Sequence, residues 1–306
     1  MTEIRVRGLT RRFGALTAVD GLDFEVGAGE LFGIVGPDGA GKTTTLRMLA
    51  GVLRPSAGEA RLAGVDLVRH PEDAKPFLAY MPQRFGLYED LTVAENLDFY
   101  ADLYRVPRAE RPARMDRLYR FSRLEPFRGR LAGRLSGGMK QKLSLSCCLV
   151  HHPRILLLDE PTFGVDPISR RELWLIVHEM VAEGVTVVVS TSYLDEAERF
   201  DRVALLDRGR ILALDTPRAL QGSMRGTVTA VRANHPRELR DRLRSLPGVT
   251  GATLFGDAVH VVSEDPGPLA GLLATAGVSV LSVEPVEPSL EDLFIQLVGR
   301  GGESHG

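Results

Sequence analysis

The sequence predicts an α/β fold with a mainly parallel sheet and helices on both faces, followed by a small α+β domain. Three observations predict it. A glycine-rich loop, Gly36 to Thr44, stands between an apolar run at Leu31 to Val35 and a helix-like segment at Thr44 to Leu53. Two strongly apolar runs, Ile155 to Leu158 and Val185 to Ser190, read as buried strands, and helical patterns separate them. Beyond about residue 227 the order becomes strand, helix, strand, strand, helix, strand, which is the ferredoxin-like pattern.

Taken in order, residues 3–26 hold the β-like runs IRVRGL and LDFEV with turn glycines between them, an antiparallel edge for the sheet. Phe13 lies between these runs, either as core or as a platform for an adenine ring. The loop Gly36-Pro-Asp38-Gly39-Ala40-Gly41-Lys42-Thr43-Thr44 fits G-x-x-x-x-G-K-[ST] in the strand–loop–helix setting that the motif requires. Its glycines let backbone N–H groups turn around phosphate oxygens, and the following helix N-terminus adds partial positive charge. Lys42 can reach β- and γ-phosphates, and the Thr43 hydroxyl can ligate Mg²⁺. Of 38 Lys plus Arg only four are lysine, and one stands here, where a slim point charge suits better than a planar fork.

Residues 58–83 give a turn, a short strand at ARLAG and a strand ending at Gln83. Val93, Leu97, Tyr100, Ala101 and Tyr104 recur at a helical period over 91–106, with Thr92 and Glu95 as a capping box. Arginines then recur every third residue from Arg105 to Arg123, readable as a solvated helical face or as a basic stripe for anionic lipid; Pro107 and Pro112 break any long helix there. Leu135 to Met139 open a helix to about Val150, and another covers Arg170 to Glu183. A short acidic helix at 193–199 and a hairpin around 207–209 follow. A boundary falls near 216–227, so that residues 1–217 form one domain, with a helical subdomain at about 84–150, and 218–306 another. The last segment, PSLEDLFIQLVGR, is a helix begun by Ser289.

Composition narrows the function. A formal net charge of −2 argues against nucleic acid as a general partner. The start MTEIRVRGL has no apolar core of a signal peptide, and no apolar run approaches the ~20 residues of a spanning helix. The nearest, Gly267 to Val283, is broken by Gly, Ser and Thr. The expectation is a cytoplasmic protein held on a membrane only by a partner. Cys147 and Cys148 are adjacent on a helix, which makes a poor disulfide, and read as buried small hydrophobes.

Two further features carry chemistry. Asp159 ends an apolar strand, where it can help hold Mg²⁺, and Glu160 beside it can act as general base on an attacking water. Ser136, Gly137 and Gly138 supply a hydroxyl, two glycines and a helix N-terminus, a second phosphate grip.

Together these residues resemble the ATP-binding subunit of an ABC transporter over residues 1 to about 217. The resemblance implies a P-loop NTPase fold of ABC type. Gly36 to Thr44 match the Walker A loop and Ile155 to Glu160 the Walker B strand. Gln83 matches the glutamine that reports on γ-phosphate and Mg²⁺ to the membrane partner. Ser136 to Met139 match the family signature, with Met139 in place of its usual glutamine. Asp166 matches the aspartate of the loop across the dimer interface, and Phe13 the adenine-stacking aromatic. Asp38 sits where Asn is common. PSLEDLF at 288–294, with LTVAENL, FGVDPISRRELW and YLDEAERFDRV, resembles the ATPases of drug-resistance exporters such as the daunorubicin-resistance ATPase.

One departure is large: Ser192 stands where the family has its switch histidine. The family pairs two such domains head to tail, each ATP lying between one phosphate loop and the other signature. The resemblance therefore implies ATP and Mg²⁺ as cofactors, a membrane permease as partner, and a second nucleotide-binding subunit, a heterodimer being preferred over a homodimer. It also implies slow turnover at this chain's own loop. Two alternatives are a non-hydrolysing ATP-binding regulatory subunit and a soluble ABC-type ATPase.

Overall fold

The computed structural model describes residues 1–84, 86–244, 248–263 and 280–303. The chain divides into two compact units, Met1–Ile211 and Leu212–Gly306.

The first unit opens with β1 (Thr2–Phe13) and β2 (Leu16–Gly27), paired antiparallel. Ile4, Val6 and Leu9 of β1 are buried while Arg5 and Arg7 between them are exposed, the alternation of a sheet with one wet face. Next come β3 (Leu31–Val35), α1 (Lys42–Leu49), β4 (Ala57–Leu62), β5 (Val65–Asp66), α2 (Pro71–Ala74) and β6 (Leu78–Met81). The helical stretch holds α3 (Val93–Leu103), α4 (Arg111–Ser122) and α5 (Gly137–Leu149). Then follow β7 (Ile155–Asp159), α6 (Pro167–Ala182), β8 (Thr186–Thr191), β9 (Arg202–Asp207) and β10 (Arg210–Asp215).

Two sheets result. One runs β2-β1-β4-β5 and the other β10-β9-β3-β8-β7-β6. The antiparallel strands expected as an edge of the parallel sheet thus make a sheet of their own. The reason is that β1 has both edges taken, by β2 and by β4, and has no ladder left for β3.

Within the second sheet β6, β7, β8, β3 and β9 are parallel neighbours. Every residue of β3, β7 and β8 is buried, as strands covered on both faces require. Register pairs Val35 with Thr191 and Asp159 with Ser190. The residues that follow, Gly36, Glu160 and Ser192, therefore leave the same sheet end side by side. Helix α6 buries Leu173, Trp174, Val177 and Met180, one stripe at helical spacing.

Several boundaries differ from expectation. Helix α1 stops at Leu49, short of Leu53, because Gly51 turns the chain with φ 68°. Strand β6 stops at Met81, since Pro82 has no N–H to continue a ladder, and leaves Gln83 in a loop. At the boundary expected near 216–227 the chain holds a helix, α7 (Pro217–Gly222): Thr216 caps it through the Ala219 N–H, and Pro217 suits its first turn. The capping box of α3 is present in full. On and beside α4, Arg111, Arg114, Arg117 and Arg123 pair with Asp102, Glu110, Glu183 and Glu172, so these four arginines of the run serve carboxylates of their own chain.

The second unit contains β11 (Thr227–Ala233), α8 (Pro236–Leu243), β12 (Val249–Phe255), β13 (Ala258–Ser263), β14 (Val280–Val286) and α9 (Leu290–Glu303). Its strands lie in the order β12-β13-β11-β14, all neighbours antiparallel. Leu239 and Leu243 of α8 join Val231, Val259 and Val261 in a buried cluster. The helix expected at Pro268 to Ala276 lies outside the described residues. Ser289 and Asp292 exchange hydrogen bonds at the start of α9, Ser289 Oγ accepting from the Asp292 N–H at 3.1 Å and Asp292 Oδ2 from the Ser289 N–H at 2.9 Å. Among the described residues no helix is long and apolar enough to cross a membrane.

Candidate functional site

A cleft of about 320 Å³ opens at the sheet end where β3 and β7 stop. Phe13, Asp38, Gly39, Ala40, Gly41, Lys42, Thr43, Thr44, Gln83 and Glu160 all line it. Phe13 is 45% exposed and carries the Arg11 guanidinium over its ring at 4.4 Å, so it is not core. Asp38 and Gln83 are exposed.

The phosphate loop is built around its glycines. Gly41 adopts φ 101°, and a Cβ there would lie 2.5 Å from the Ala18 carbonyl oxygen, so no other residue fits. Lys42 folds back and donates to the Gly36 carbonyl at 2.7 Å and to the Pro37 carbonyl at 3.0 Å. Its Nζ also lies 3.0 Å from Glu160 Oε1, both side chains being nearly fully buried. Two such charges are tolerable inside a protein only as a pair with further hydrogen bonds, which Lys42 obtains from the carbonyls.

Asp159 gathers three hydroxyls. Thr43 Oγ1 donates to its Oδ1 at 2.9 Å, Ser190 Oγ to the same oxygen at 2.7 Å, and the Tyr80 hydroxyl to Oδ2 at 3.2 Å. Burial, and then the Asp159 charge, push the Tyr80 phenol up to about 12, so it remains a donor. Tyr80 and Ser190 escaped the sequence reading. Ser190 left one signal, a polar residue directly after the apolar run Val187–Val189. Among the described residues no group of three or more His, Cys, Asp or Glu could hold a metal unaided. A hydroxyl and a carboxylate side by side do fit Mg²⁺, which takes few protein ligands and completes its shell from phosphate and water.

Glu160 follows β7 in the left-handed region, φ 51°, a strained backbone for a residue with a side chain. Its own N–H donates to the Ser190 carbonyl and to Ser190 Oγ, each at 3.1 Å, which holds it there. Its second carboxylate oxygen, Oε2, accepts from Ser192 Oγ at 3.0 Å. Both oxygens of the candidate base are thus engaged, one by an ammonium and one by a hydroxyl.

Ser136, Gly137, Gly138 and Asp166 do not line this cleft. Gly138 and Asp166 instead lie against each other, where α5 and α6 begin. Ser136 caps α5 through the Met139 N–H, and Asp166 caps α6 through Ile168 and Ser169. Those N–H groups, Ser169 first, hold the Asp166 carboxyl below its usual range. A Cβ on Gly138 would meet Ser169 Oγ at 2.2 Å and Asp166 Oδ2 at 3.4 Å, so the two helix starts touch only because Gly stands there. Ser136 and Asp166 are both exposed. Cys147 and Cys148 are buried free thiols, pushed up by burial, and take no part.

A lysine-bearing glycine loop, a hydroxyl–carboxylate pair that fits a divalent cation and a buried carboxylate just after β7 define a phosphate-loop nucleotide-binding protein. Comparison with known proteins narrows the class. Residues 19–163 match the ABC transporter family profile. The daunorubicin resistance ATP-binding protein of Streptomyces coeruleorubidus is 34% identical over 98% of this chain and 96% of its own. The ABC transporter ATP-binding protein YbhF of Escherichia coli (strain K12) is 46% identical over 98% of this chain, which spans only 53% of that protein's length. A solved ATP-binding subunit of an ABC transporter superposes with a TM-score of 0.66, at 32% identity, covering 72% of this chain and 92% of that one. The chain belongs to the ABC transporter ATP-binding proteins.

Proposed function

We propose that this chain is the ATP-hydrolysing subunit of an export system, coupling ATP binding and hydrolysis to efflux through a separate membrane permease. The export assignment is supported by the daunorubicin-resistance relative, which matches along nearly its whole length. In this reading the chain sits peripherally on the cytoplasmic face of the membrane, docked on that permease.

In this reading the phosphate loop and Lys42 grip ATP, and Phe13 stacks on its adenine. Thr43 and Asp159 hold Mg²⁺, with Gln83 at the rim; the ion, when bound, neutralises charge on the β- and γ-phosphates. Glu160 takes the proton of the attacking water. Ser136, Gly138 and Asp166 face a second nucleotide-binding subunit and complete its site, not this one.

The observation that carries the reading of the rate is the Ser192–Glu160 hydrogen bond. At that position a hydroxyl reaches the base but cannot hold a positive charge or extend farther, as an imidazole can. The chain's own site therefore turns ATP over slowly, and an asymmetric pair with a more competent subunit is the preferred assembly. Glu160 argues against a wholly non-hydrolysing role.

Single-turnover ATP hydrolysis, with the protein alone and with its co-expressed partner, tests this. Slow turnover alone that rises in Ser192→His is expected. Brisk hydrolysis by the protein alone, unchanged in Ser192→His, would overturn the asymmetric reading.

A further inference from the structure

Glu196 is as deeply buried as Asp159, 1% exposed, yet it lines no part of the cleft. Four groups converge on it. Its Oε2 accepts from Thr191 Oγ1 at 2.7 Å and from Thr162 Oγ1 at 3.1 Å. Its Oε1 accepts from the Trp174 indole N–H at 3.1 Å and lies 3.9 Å from the Arg170 guanidinium. Thr191 Oγ1 in turn accepts from the Tyr193 N–H at 3.0 Å, which spans Ser192.

These partners come from three different segments. Thr162 lies two residues after Glu160. Thr191 and Tyr193 flank Ser192. Trp174 and Arg170 belong to α6, whose N-cap is Asp166. One carboxylate therefore fastens the loop of the base, the loop of the switch position and the helix behind the dimer-facing aspartate. A buried carboxylate is costly unless hydrogen-bonded, and a leucine of similar size would fill the same space without that cost.

We infer that Glu196 is a positioning residue for hydrolysis, acting through Thr162 and Thr191 to hold Glu160 and Ser192 in register and linking both to α6. The inference rests on the reading of the cleft as an ATP-hydrolysing site. It adds that the helix carrying Asp166 and the two loops move as one body. Trp174, the chain's single tryptophan, sits on the same carboxylate and reports that motion.

The test uses the full chain and three variants. Glu196→Ala lowers the single-turnover rate by at least about tenfold, the scale of a misplacement of the order of an ångström. Its Kd for ATP stays within about twofold, the split expected of an effect confined to the chemical step. Glu196→Gln restores most of the rate, because an amide can serve the indole with its oxygen and the two turned hydroxyls with its nitrogen. Thr191→Val cuts only the link to the switch loop and reproduces the loss; it carries the test together with Glu196→Gln if Glu196→Ala does not fold. Addition of Mg·ATP changes Trp174 emission in the wild type, and the change is lost in Thr191→Val. A Thr191→Val protein that hydrolyses ATP and signals like the wild type overturns the inference alone. A wild type that binds no ATP overturns the reading of the cleft, and this inference with it.

Discussion

Ser192 Oγ donates to Glu160 Oε2 at 3.0 Å while Lys42 Nζ holds Oε1 at the same distance. The candidate base is shared between a strong cation and a weak donor. Replacing the weak donor by imidazole supplies a group that can carry charge. Ser192→His is expected to raise the single-turnover rate by about 10²-fold or more, the scale of a positioned acid–base group. Phosphate release from stoichiometric ATP measures it.

The Lys42–Glu160 pair gives a stability prediction. Removing one buried partner leaves the other uncompensated, so Lys42→Ala is expected to cost about 3–5 kcal/mol, moderated by water entering the cleft. Glu160→Gln in the same chain restores part of it, because the orphaned charge is gone. Thermal unfolding of both single variants and the double variant closes the cycle. Strict additivity would show that the two groups do not stabilise each other.

Thr43 is expected to matter for the cation more than for the nucleotide. Its hydroxyl donates to Asp159 Oδ1 at 2.9 Å, the same oxygen that Ser190 uses. Thr43→Val should leave ATP binding in a chelator near wild type and abolish most of the gain from added Mg²⁺. Titration of a fluorescent ATP analogue with and without Mg²⁺ distinguishes the two.

His151 predicts a pH dependence. It stacks on Tyr104 at 4.0 Å and its Nε2 faces the Leu78 carbonyl at 3.2 Å, so that nitrogen carries the proton. Nδ1 is buried with no partner. Burial, with Arg114 and His152 nearby, holds this histidine below its ordinary value of 6.5, and burial likewise lowers His152. Below that pH the unfolded chain takes up protons that the fold refuses. Stability therefore falls as pH drops below about 6.5, by at most about 1.4 kcal/mol per pH unit for His151, the exposed His152 adding less because water screens it. His151→Phe keeps the stack and should flatten the fall in Tm between pH 6.5 and 5.5. An unchanged slope would exclude His151 as its source.

Much of the site was legible because its chemistry is local in sequence. The phosphate loop, Asp159–Glu160, the Ser136–Gly138 grip and the cap residue Thr92 each announce themselves within a few residues. What register creates was not. The meeting of Tyr80, Ser190 and Thr43 on Asp159 joins four segments through strand pairing, and the Glu196 junction does the same through α6. The separate antiparallel sheet was missed because the pattern of β1 shows which face is buried and not which edges are filled. The helix at 217–222 was read only as a domain boundary because Thr, Pro and Gly mark helix ends as often as turns.

Ser136 and Asp166 stand outside their own chain's cleft, joined through the contact at Gly138. If those residues serve a neighbour, the chain carries two separable inheritances, a pocket for itself and a lid for another. A change such as Ser192 then wears down the first without touching the second. A lineage of paired subunits can let one pocket fall silent and lose no lid, which is how an unequal pair can arise from an equal one.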